Sequence, residues 1–245
     1  MRRTRVLVGT TLEPGATITL PEQAARHLVQ VLRLKAGHEF IAFDGNSDME
    51  HLAVLESVGK KAVTARILDG SRVERESPLE LTLVQAISAA ERMDYALQKA
   101  VELGVKRIVP VWSERSQRRL KPAQMEKKLR HWRGVIAHAT EQSGRTRLAQ
   151  LAEPSTLQTV VGERNTKSPA IVLDPTATKS LKEVEAPDGG VEIFIGPEGG
   201  FSDTELAMME HAGIERIRMG PRILRTETAG PAVLAWLQTR YGDIG

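Results

Sequence analysis

The sequence predicts an α/β protein in which a small β-rich module precedes a parallel α/β domain. In residues 1–77, short apolar runs are separated by glycine, proline or Asp-Gly turns, which is typical of many short strands. From residue 79 onward, strand-like apolar runs alternate with runs of helical period, which is typical of a parallel sheet covered by helices. The polar stretch 71–78 ends in a proline and is interpreted as a linker. We therefore predict two domains, residues 1–73 and 74–245.

The strands predicted for the first module are short and closely spaced. They lie at residues 6–8, 16–20, 39–43, 52–55 and 61–68. One helix is predicted over residues 21–34, where apolar side chains recur at helical spacing before Gly37. Several short strands with a single helix predict a small barrel.

The second module is predicted as an open, doubly wound sheet. Its strands lie at residues 79–88, 107–111, 170–173, 191–195 and 214–219. Helices are predicted over residues 91–103 and 127–143, and after each of the last three strands. In sheets of this kind, ligands bind outside the carboxyl ends of the strands. We therefore look for a site in the loops that follow them.

Composition excludes several classes of protein. The 245 residues include no cysteine, so we expect no disulfide framework and no thiolate nucleophile or metal ligand. No cluster of His, Asp and Glu has metal-binding spacing, so no metal is predicted. No apolar stretch approaches the ~20 residues of a membrane span. We expect a cytoplasmic protein that does not enter a membrane.

Charge is unevenly distributed along the chain. The net charge is only +3, yet residues 106–147 contain 12 Lys and Arg against 3 Asp and Glu. Residues 148–245 contain 9 Lys and Arg against 14 Asp and Glu. A basic block beside an acidic, glycine-rich half indicates either a polyanionic partner or an ordinary solvated helical face, and charge alone favours neither.

Two glycine-containing loops follow predicted strands. The first glycine loop is Phe194-Ile-Gly-Pro-Glu-Gly-Gly-Phe-Ser202, and the second is Met219-Gly-Pro-Arg-Ile-Leu-Arg-Thr-Glu-Thr-Ala229. Glycines allow backbone to approach a ligand closely. Ser202 and Glu205 have the spacing of a capping box, so a helix is predicted to begin there. A second helix is predicted from about residues 226–228, with Pro231 in its first turn, where a missing N–H is tolerated.

The first glycine loop matches neither common nucleotide-binding pattern. Glu198 would repel a phosphate, so a neutral or cationic ligand is favoured. The alternative from spacing alone is a tight turn that only caps a helix. The segment from Glu141 to Arg145 also has two possible roles. Glu141 and Arg145 could form an ordinary i,i+4 ion pair on a helix, or Gln142 and Arg145 could contact RNA.

Taken together, the two loops closely resemble motifs of the SPOUT methyltransferases. More narrowly, they resemble the 16S ribosomal RNA uracil-N3 methyltransferase family, ribosomal RNA small subunit methyltransferase E. The other matching motifs occur in the expected order: His27-x-x-x-Val31-Leu-Arg33 with Gly37, Gln98-Lys-Ala-Val-Glu-Leu-Gly-Val105, Ser113-Glu-Arg-Ser116 and Glu141-Gln-Ser-Gly-Arg145. Ala89 departs from the pattern, since a basic residue is expected there.

The resemblance implies an N-terminal PUA-like β-barrel and a C-terminal SPOUT domain with a trefoil knot. It further implies S-adenosylmethionine as the cofactor, a homodimer, and methylation of uridine N3 in 16S rRNA, within the small ribosomal subunit. The alternatives are a related SPOUT methyltransferase with another RNA target, or a non-catalytic RNA-binding factor in ribosome assembly.

The resemblance also implies roles for individual residues. Arg225 is expected to steady the uracil anion or a neighbouring phosphate. Glu227 is expected to orient Arg225 or to accept the proton of uracil N3. An equally good interpretation is that Glu227 is simply an acidic residue favoured in the first turn by the helix dipole. The expected cofactor-binding residues are Leu173, Ile195, Gly196, Glu198, Gly199, Met219, Gly220, Ile223 and Leu224. The expected RNA-binding residues are Arg2, Arg5, Arg33, Arg115, Arg118, Arg119, Gln142 and Arg145.

Overall fold

The computed structural model describes residues 3–116, 120–165, 168–185 and 190–245. The chain forms two compact units. Unit 1 comprises Met1–Glu76 and Thr140–Leu148, and unit 2 comprises Ser77–Ala139 and Ala149–Gly245. The segment 140–148 therefore packs with the first unit, although it lies far along the chain. The domain boundary after residue 73 stays a prediction. No helix within the described ranges is long and apolar enough to cross a membrane.

Unit 1 is built on a five-stranded sheet with the order β1-β3-β4-β5-β2. The strands are β1 (Arg5–Leu7), β2 (Thr17–Thr19), β3 (Glu39–Phe43), β4 (Met49–Val58) and β5 (Val63–Arg72). β1 runs parallel to β3, and the other neighbours are antiparallel. Alternate residues of β4 are buried, as expected for a sheet with one face against a core. That core includes Leu28, Phe40, Leu55 and Ile67.

The helix of unit 1 is shorter than predicted. It comprises α1 (Glu22–Arg26) and one π-helical turn, His27–Val31. The chain then reverses because Arg33 adopts a left-handed φ of 56°. The N–H of Leu34 donates to the carbonyl of Leu28, which closes the helix end. The expectation that the helix continues to residue 34 was wrong for this reason.

Unit 2 contains a seven-stranded, all-parallel sheet with the order β12-β10-β11-β6-β7-β8, and β9 also pairs with β7. The strands are β6 (Glu80–Ala86), β7 (Arg107–Trp112), β8 (Gln150–Leu151), β9 (Ser155–Thr156), β10 (Ala170–Leu173), β11 (Gly190–Ile195) and β12 (Glu215–Ile217). The helices are α2 (Ala90–Glu102), α3 (Pro122–Ser143), α4 (Leu157–Glu163), α5 (Asp203–His211) and α6 (Thr226–Tyr241). The predicted α/β class with a parallel sheet is confirmed.

Both faces of this sheet are buried, because alternate side chains of each strand enter different cores. Leu83 and Ile193 join one core, with Trp132 of α3. Val84 and Phe194 join the other. The very short β8 and β9 and the seven-residue α4 were missed, since so few residues show no clear period. The helix expected after β10 was wrong: across residues 174–185, which the structure describes, the chain forms one 3-10 turn, Leu181–Glu183, and no α-helix.

The strand order positions the candidate site. β12, β10, β11 and β6 are consecutive neighbours and all parallel, so the loops after them emerge at one edge of the sheet. The trefoil knot is not decided by this order and stays a prediction.

Candidate cofactor-binding and active site

One pocket lies at the carboxyl ends of β6, β10, β11 and β12. Both glycine loops contribute to it, together with the loop after β10 and the first turns of α2 and α6. Its lining residues are Arg92, Leu173, Asp174, Pro175, Ile195, Gly196, Pro197, Glu198, Gly200, Met219, Gly220, Arg222, Ile223, Leu224, Arg225, Thr226 and Ala229. Within the described ranges, no cluster of three or more His, Asp or Glu side chains could hold a metal ion.

The first glycine loop is held in place at both ends. The predicted capping box is present: the Glu205 N–H donates to the Ser202 hydroxyl (3.2 Å), and the Ser202 N–H donates to the Glu205 carboxylate (2.9 Å). At the other end, the Thr226 hydroxyl donates to the Gly196 carbonyl (2.7 Å) and accepts a bond from buried Gln85 (2.9 Å). The loop therefore enters and leaves through fixed hydrogen bonds.

Glu198 connects this loop to the start of α2. Its carboxylate accepts a hydrogen bond from the N–H of Ala89 (3.0 Å) and pairs with Arg92 (3.0 Å). Burial alone would raise the pKa of Glu198. The hydrogen bond from Ala89 and the ion pair with Arg92 outweigh burial and hold that pKa below its ordinary value. The contribution of residue 89 to this contact is its backbone N–H, which any residue except proline would supply. Alanine in place of the expected basic residue therefore leaves the contact with Glu198 intact.

The middle of the second glycine loop is exposed. Gly220 has a φ of 74°, which an L side chain rarely adopts. Ile223 is 82% exposed, although it is a large apolar residue. Arg225 is exposed at the N-cap of α6, and its side chain makes no hydrogen bond or ion pair with the described residues. A cation without a partner beside an apolar-lined pocket is suited to an anionic ligand.

Comparison with known proteins identifies the family. A family model described as "RNA methyltransferase domain" matches residues 75–238, and one described as "RNA methyltransferase PUA domain" matches residues 20–68. Ribosomal RNA small subunit methyltransferase E of Buchnera aphidicola is 31% identical over 240 residues, covering 98% of this chain and 97% of the relative. The chain belongs to this family.

Two solved structures resemble the chain over its full length. A ribosomal RNA small subunit methyltransferase E from Neisseria gonorrhoeae, bound to S-adenosyl methionine, is 34% identical with a TM-score of 0.92, and each chain is covered completely. A Legionella pneumophila protein in complex with the bound cofactor SAM is 38% identical with a TM-score of 0.96, again covering both chains completely. The fold of this methyltransferase is therefore shared along the whole chain.

The pocket includes eight of the nine residues expected to bind the cofactor. Gly199 is the exception, and its neighbour Gly200 lines the pocket instead. The carbonyl of Gly199 accepts a hydrogen bond from Arg115 (2.9 Å), and that of Phe201 a longer one (3.3 Å). Arg115, expected to meet RNA, thus also anchors the first glycine loop.

The two residues expected to be catalytic lie close in sequence but differ in surroundings. Arg225 lines the pocket, whereas Glu227 lies in the first turn of α6 and is not part of the lining. The ion pair of Glu227 is with Arg92, at 3.9 Å, and not with Arg225. The structure therefore offers no direct contact through which Glu227 would orient Arg225.

The expected RNA-binding residues fall into three groups. Arg2, Arg118 and Arg119 lie outside the described residues. Arg33 and Gln142 are exposed in unit 1, and Arg115 is exposed in unit 2. Arg5 and Arg145, by contrast, are only 9% and 4% exposed.

The guanidinium groups of Arg5 and Arg145 are used inside unit 1. Arg5 bonds Glu50 (2.7 Å), lies over the Phe43 ring, and donates to carbonyls of the segment 140–145. Arg145 pairs with Glu76 (2.6 Å), because α3 ends at Ser143 and the chain turns at Gly144. Since buried charges depend on such partners, we do not include Arg5 or Arg145 in the RNA-binding proposal.

Sequence reasoning missed several pocket residues, of which Arg92 is the most informative. It lies near the start of α2, just after β6, far in sequence from both glycine loops. Because β6 pairs directly with β11, the end of β6 is next to the first glycine loop. The pairing order of the strands would have indicated Arg92, but apolar runs do not specify that order.

Proposed function

We propose that this protein transfers the methyl group of S-adenosylmethionine to N3 of a uridine in 16S rRNA. The observation that carries the proposal is the pocket between the two glycine loops, which is lined largely by apolar residues and has at its edge Arg225, an arginine with no ion-pair partner in the part of the chain that the structure describes. The proposal extends to this chain the activity for which its family is named. The trefoil knot, the homodimer, a cytoplasmic location and action within the small ribosomal subunit belong to the same proposal.

The residues present fit a purine-containing cofactor with a positive charge. Leu173, Ile195, Met219 and Leu224 provide apolar surface for an adenine ring. Apart from its chain neighbours, no atom lies within 4 Å of the place where a Cβ of Gly220 would stand, so backbone groups there are accessible to a ligand. Glu198 places a carboxylate in the pocket and disfavours a phosphate-bearing ligand. When bound, S-adenosylmethionine supplies an electrophilic methyl group.

Arg225 has the chemistry needed on the substrate side. Uracil N3 carries a proton at neutral pH, so the site must accept that proton or stabilise the anion left behind. An exposed guanidinium can bond a uracil oxygen or a neighbouring phosphate without first giving up another partner. Positioning of reactants can itself supply ~7–11 kcal/mol, so no covalent nucleophile is needed.

RNA contact is proposed for Arg33, Arg115 and Gln142, together with Arg2, Arg118 and Arg119 outside the described residues. Contacts from arginines to phosphates release counterions, so affinity should fall steeply as salt rises. An RNA affinity that hardly changes between low and moderate salt would contradict phosphate contact by these arginines.

The proposed function is tested by mapping methyl groups on rRNA. We expect mass spectrometry of 16S rRNA to show one N3-methyluridine in cells with the gene and none in cells without it, and purified protein with S-adenosylmethionine to restore it. Parallel reactions on naked 16S rRNA and on small subunits lacking the methyl group identify the substrate. A methyl group on another atom or RNA would favour the related methyltransferase, and cofactor binding without transfer would favour an assembly factor.

A further inference from the structure

Arg92 lies between two carboxylates that belong to different glycine loops. Its Nη1 is 3.0 Å from Glu198 in the first loop, and its Nε is 3.9 Å from Glu227 in the second. The second distance is too long for a hydrogen bond but short enough for charge compensation. Arg92 is therefore the described cation through which the two loops are electrostatically connected.

The carboxylates at this edge of the sheet differ in how fully their oxygens are used. Asp174 bonds Arg216 (2.8 Å) and Thr176 (2.9 Å). Glu198 uses one oxygen, Oε1, which accepts from the Ala89 N–H and pairs with Arg92. Glu227 differs, because its Oε2 is buried and has no hydrogen-bond partner among the described residues. A buried oxygen without a partner is costly, and such groups are common where function requires them.

The helix around Glu227 is also unusual. Pro231 is the sixth residue of α6, not part of its first turn as the sequence suggested. A proline there has no N–H to donate to the carbonyl of Glu227, four residues earlier. Both the side chain and the main chain of Glu227 thus lack bonds that an ordinary helical glutamate would have.

We propose that Arg92 is a positioning residue that holds the Glu227 carboxylate, charged, as the acceptor of the uracil N3 proton. This inference rests on the proposed function and specifies its proton acceptor. The side chain of Glu227 is only 18% exposed, so its charge needs a nearby cation, and Arg92 is the cation that pairs with it among the described residues. Arg225 remains available for the anion that forms.

The proton and electron balance is complete without another reactant. The N3–H bond breaks, and its proton passes to the Glu227 carboxylate. The electron pair left on N3 forms the new N–C bond, while the leaving sulfur retains the electrons of the S–C bond. The neutral Glu227 then returns the proton to solvent after product release.

The decisive experiment is a double-mutant cycle on single-turnover methyl transfer with saturating S-adenosylmethionine. Glu227→Gln should slow the step about 100-fold or more, in the range of general-base effects. Arg92→Gln should slow it by a comparable factor, and Arg92→Lys should recover most of the rate. Because Arg92 acts through Glu227, Arg92→Gln with Glu227→Gln should be no slower than Glu227→Gln alone. If the double variant instead lost rate by the product of the two single losses, Arg92 and Glu227 would act independently and the inference would be wrong.

Two measurements that do not depend on methyl transfer test whether Arg92 positions Glu227 or only supports cofactor binding. Calorimetry with S-adenosylmethionine should show the Kd of Arg92→Gln rising about fivefold, because this variant also loses the ion pair with Glu198. Saturating cofactor removes that loss from the measured rate, so lost binding cannot explain a lost rate. A crystal structure of Arg92→Gln should show the Glu227 carboxylate displaced. An undisplaced Glu227, or a loss confined to cofactor affinity, would overturn the role assigned to Arg92. If the parent protein methylates an atom other than N3, the proposed function fails, while the crystal structure still decides the positioning.

Discussion

The two glycine loops have similar sequences of glycine and proline but are held very differently. The first is fixed by the Ser202–Glu205 capping box, by Thr226 at Gly196, by Arg115 at Gly199, and by Glu198 through Ala89 and Arg92. The second projects exposed Arg222, Ile223 and Arg225. The difference indicates that one loop is preorganised before a ligand arrives and the other completes its contacts afterwards.

This contrast matches two different tasks. A cofactor that must be presented in one orientation benefits from rigid surroundings, because preorganisation lowers the entropy lost on binding. A large RNA brings its own shape and charge, so exposed side chains can adapt to it. We infer that the first loop holds the cofactor together with the apolar side chains of the second, and that Arg225 of the second loop acts mainly on the rate of transfer.

The largest effect is expected for Arg225→Ala, which tests the second loop. We expect methyl transfer to fall about 10²–10³-fold, the loss typical of removing one group that stabilises developing charge. The Kd for S-adenosylmethionine, measured by calorimetry, should stay within about threefold. Arg222→Ala, in the same loop, is the matched control and should slow transfer less than about tenfold. Unchanged turnover in Arg225→Ala would reject the role of Arg225.

Gly196→Ala tests the rigidity of the first loop. A Cβ at this position would lie 3.1 Å from the Gly200 Cα and from the Phe201 nitrogen, which are backbone atoms that cannot rotate away. We expect cofactor affinity to weaken about 30-fold, since crowding of this kind costs about 2 kcal/mol.

Gly199→Ala is the matched control for that substitution. Its Cβ would meet the flexible Arg115 side chain at an ordinary 3.4 Å. Calorimetry should therefore give a Kd near that of the parent protein. Equal losses in Gly196→Ala and Gly199→Ala would show that the loop is not as rigid as its hydrogen bonds indicate.

Arg115→Ala should have a smaller effect on the same loop. It removes the donor to the carbonyls of Gly199 and Phe201. An exposed hydrogen bond contributes about 1 kcal/mol, so the Kd for S-adenosylmethionine should rise about fivefold. RNA affinity should also fall if this arginine contacts phosphate, and the two effects are separated by measuring cofactor binding without RNA.

The smallest effect is expected from acid. Because the pKa of Glu198 is below its ordinary 4.5, folding with this carboxylate ionised is favourable above that value. The stabilisation is lost as the pH falls through the lowered pKa. Thermal unfolding of the parent protein and Glu198→Gln should therefore differ by a constant amount above about pH 5 and converge below it. A difference that grows toward acid would have the wrong sign.

Local features of the site were predictable because short-range chemistry specifies them. The capping box at Ser202 needs only a hydroxyl and a carboxylate three residues apart, and it is present. β3 and β10 lie where their apolar runs predicted. Long-range partners were not predictable in this way. Nothing near Arg145 in the sequence indicates that Glu76 is its partner, or that Arg5 enters the same unit and is buried.

The α/β class, the two glycine loops after parallel strands and, through family motifs, the chemistry expected there could all be predicted from the order of the amino acids. Periodicity and capping depend on residues a few positions apart, so they can be read directly. The folded chain was needed to show that β6 lies beside β11, which brings Arg92 from α2 to Glu198 and Glu227. It also decided which arginines are buried with carboxylates and which remain exposed. Pairing and burial depend on contacts between distant segments, and those form only when the chain packs.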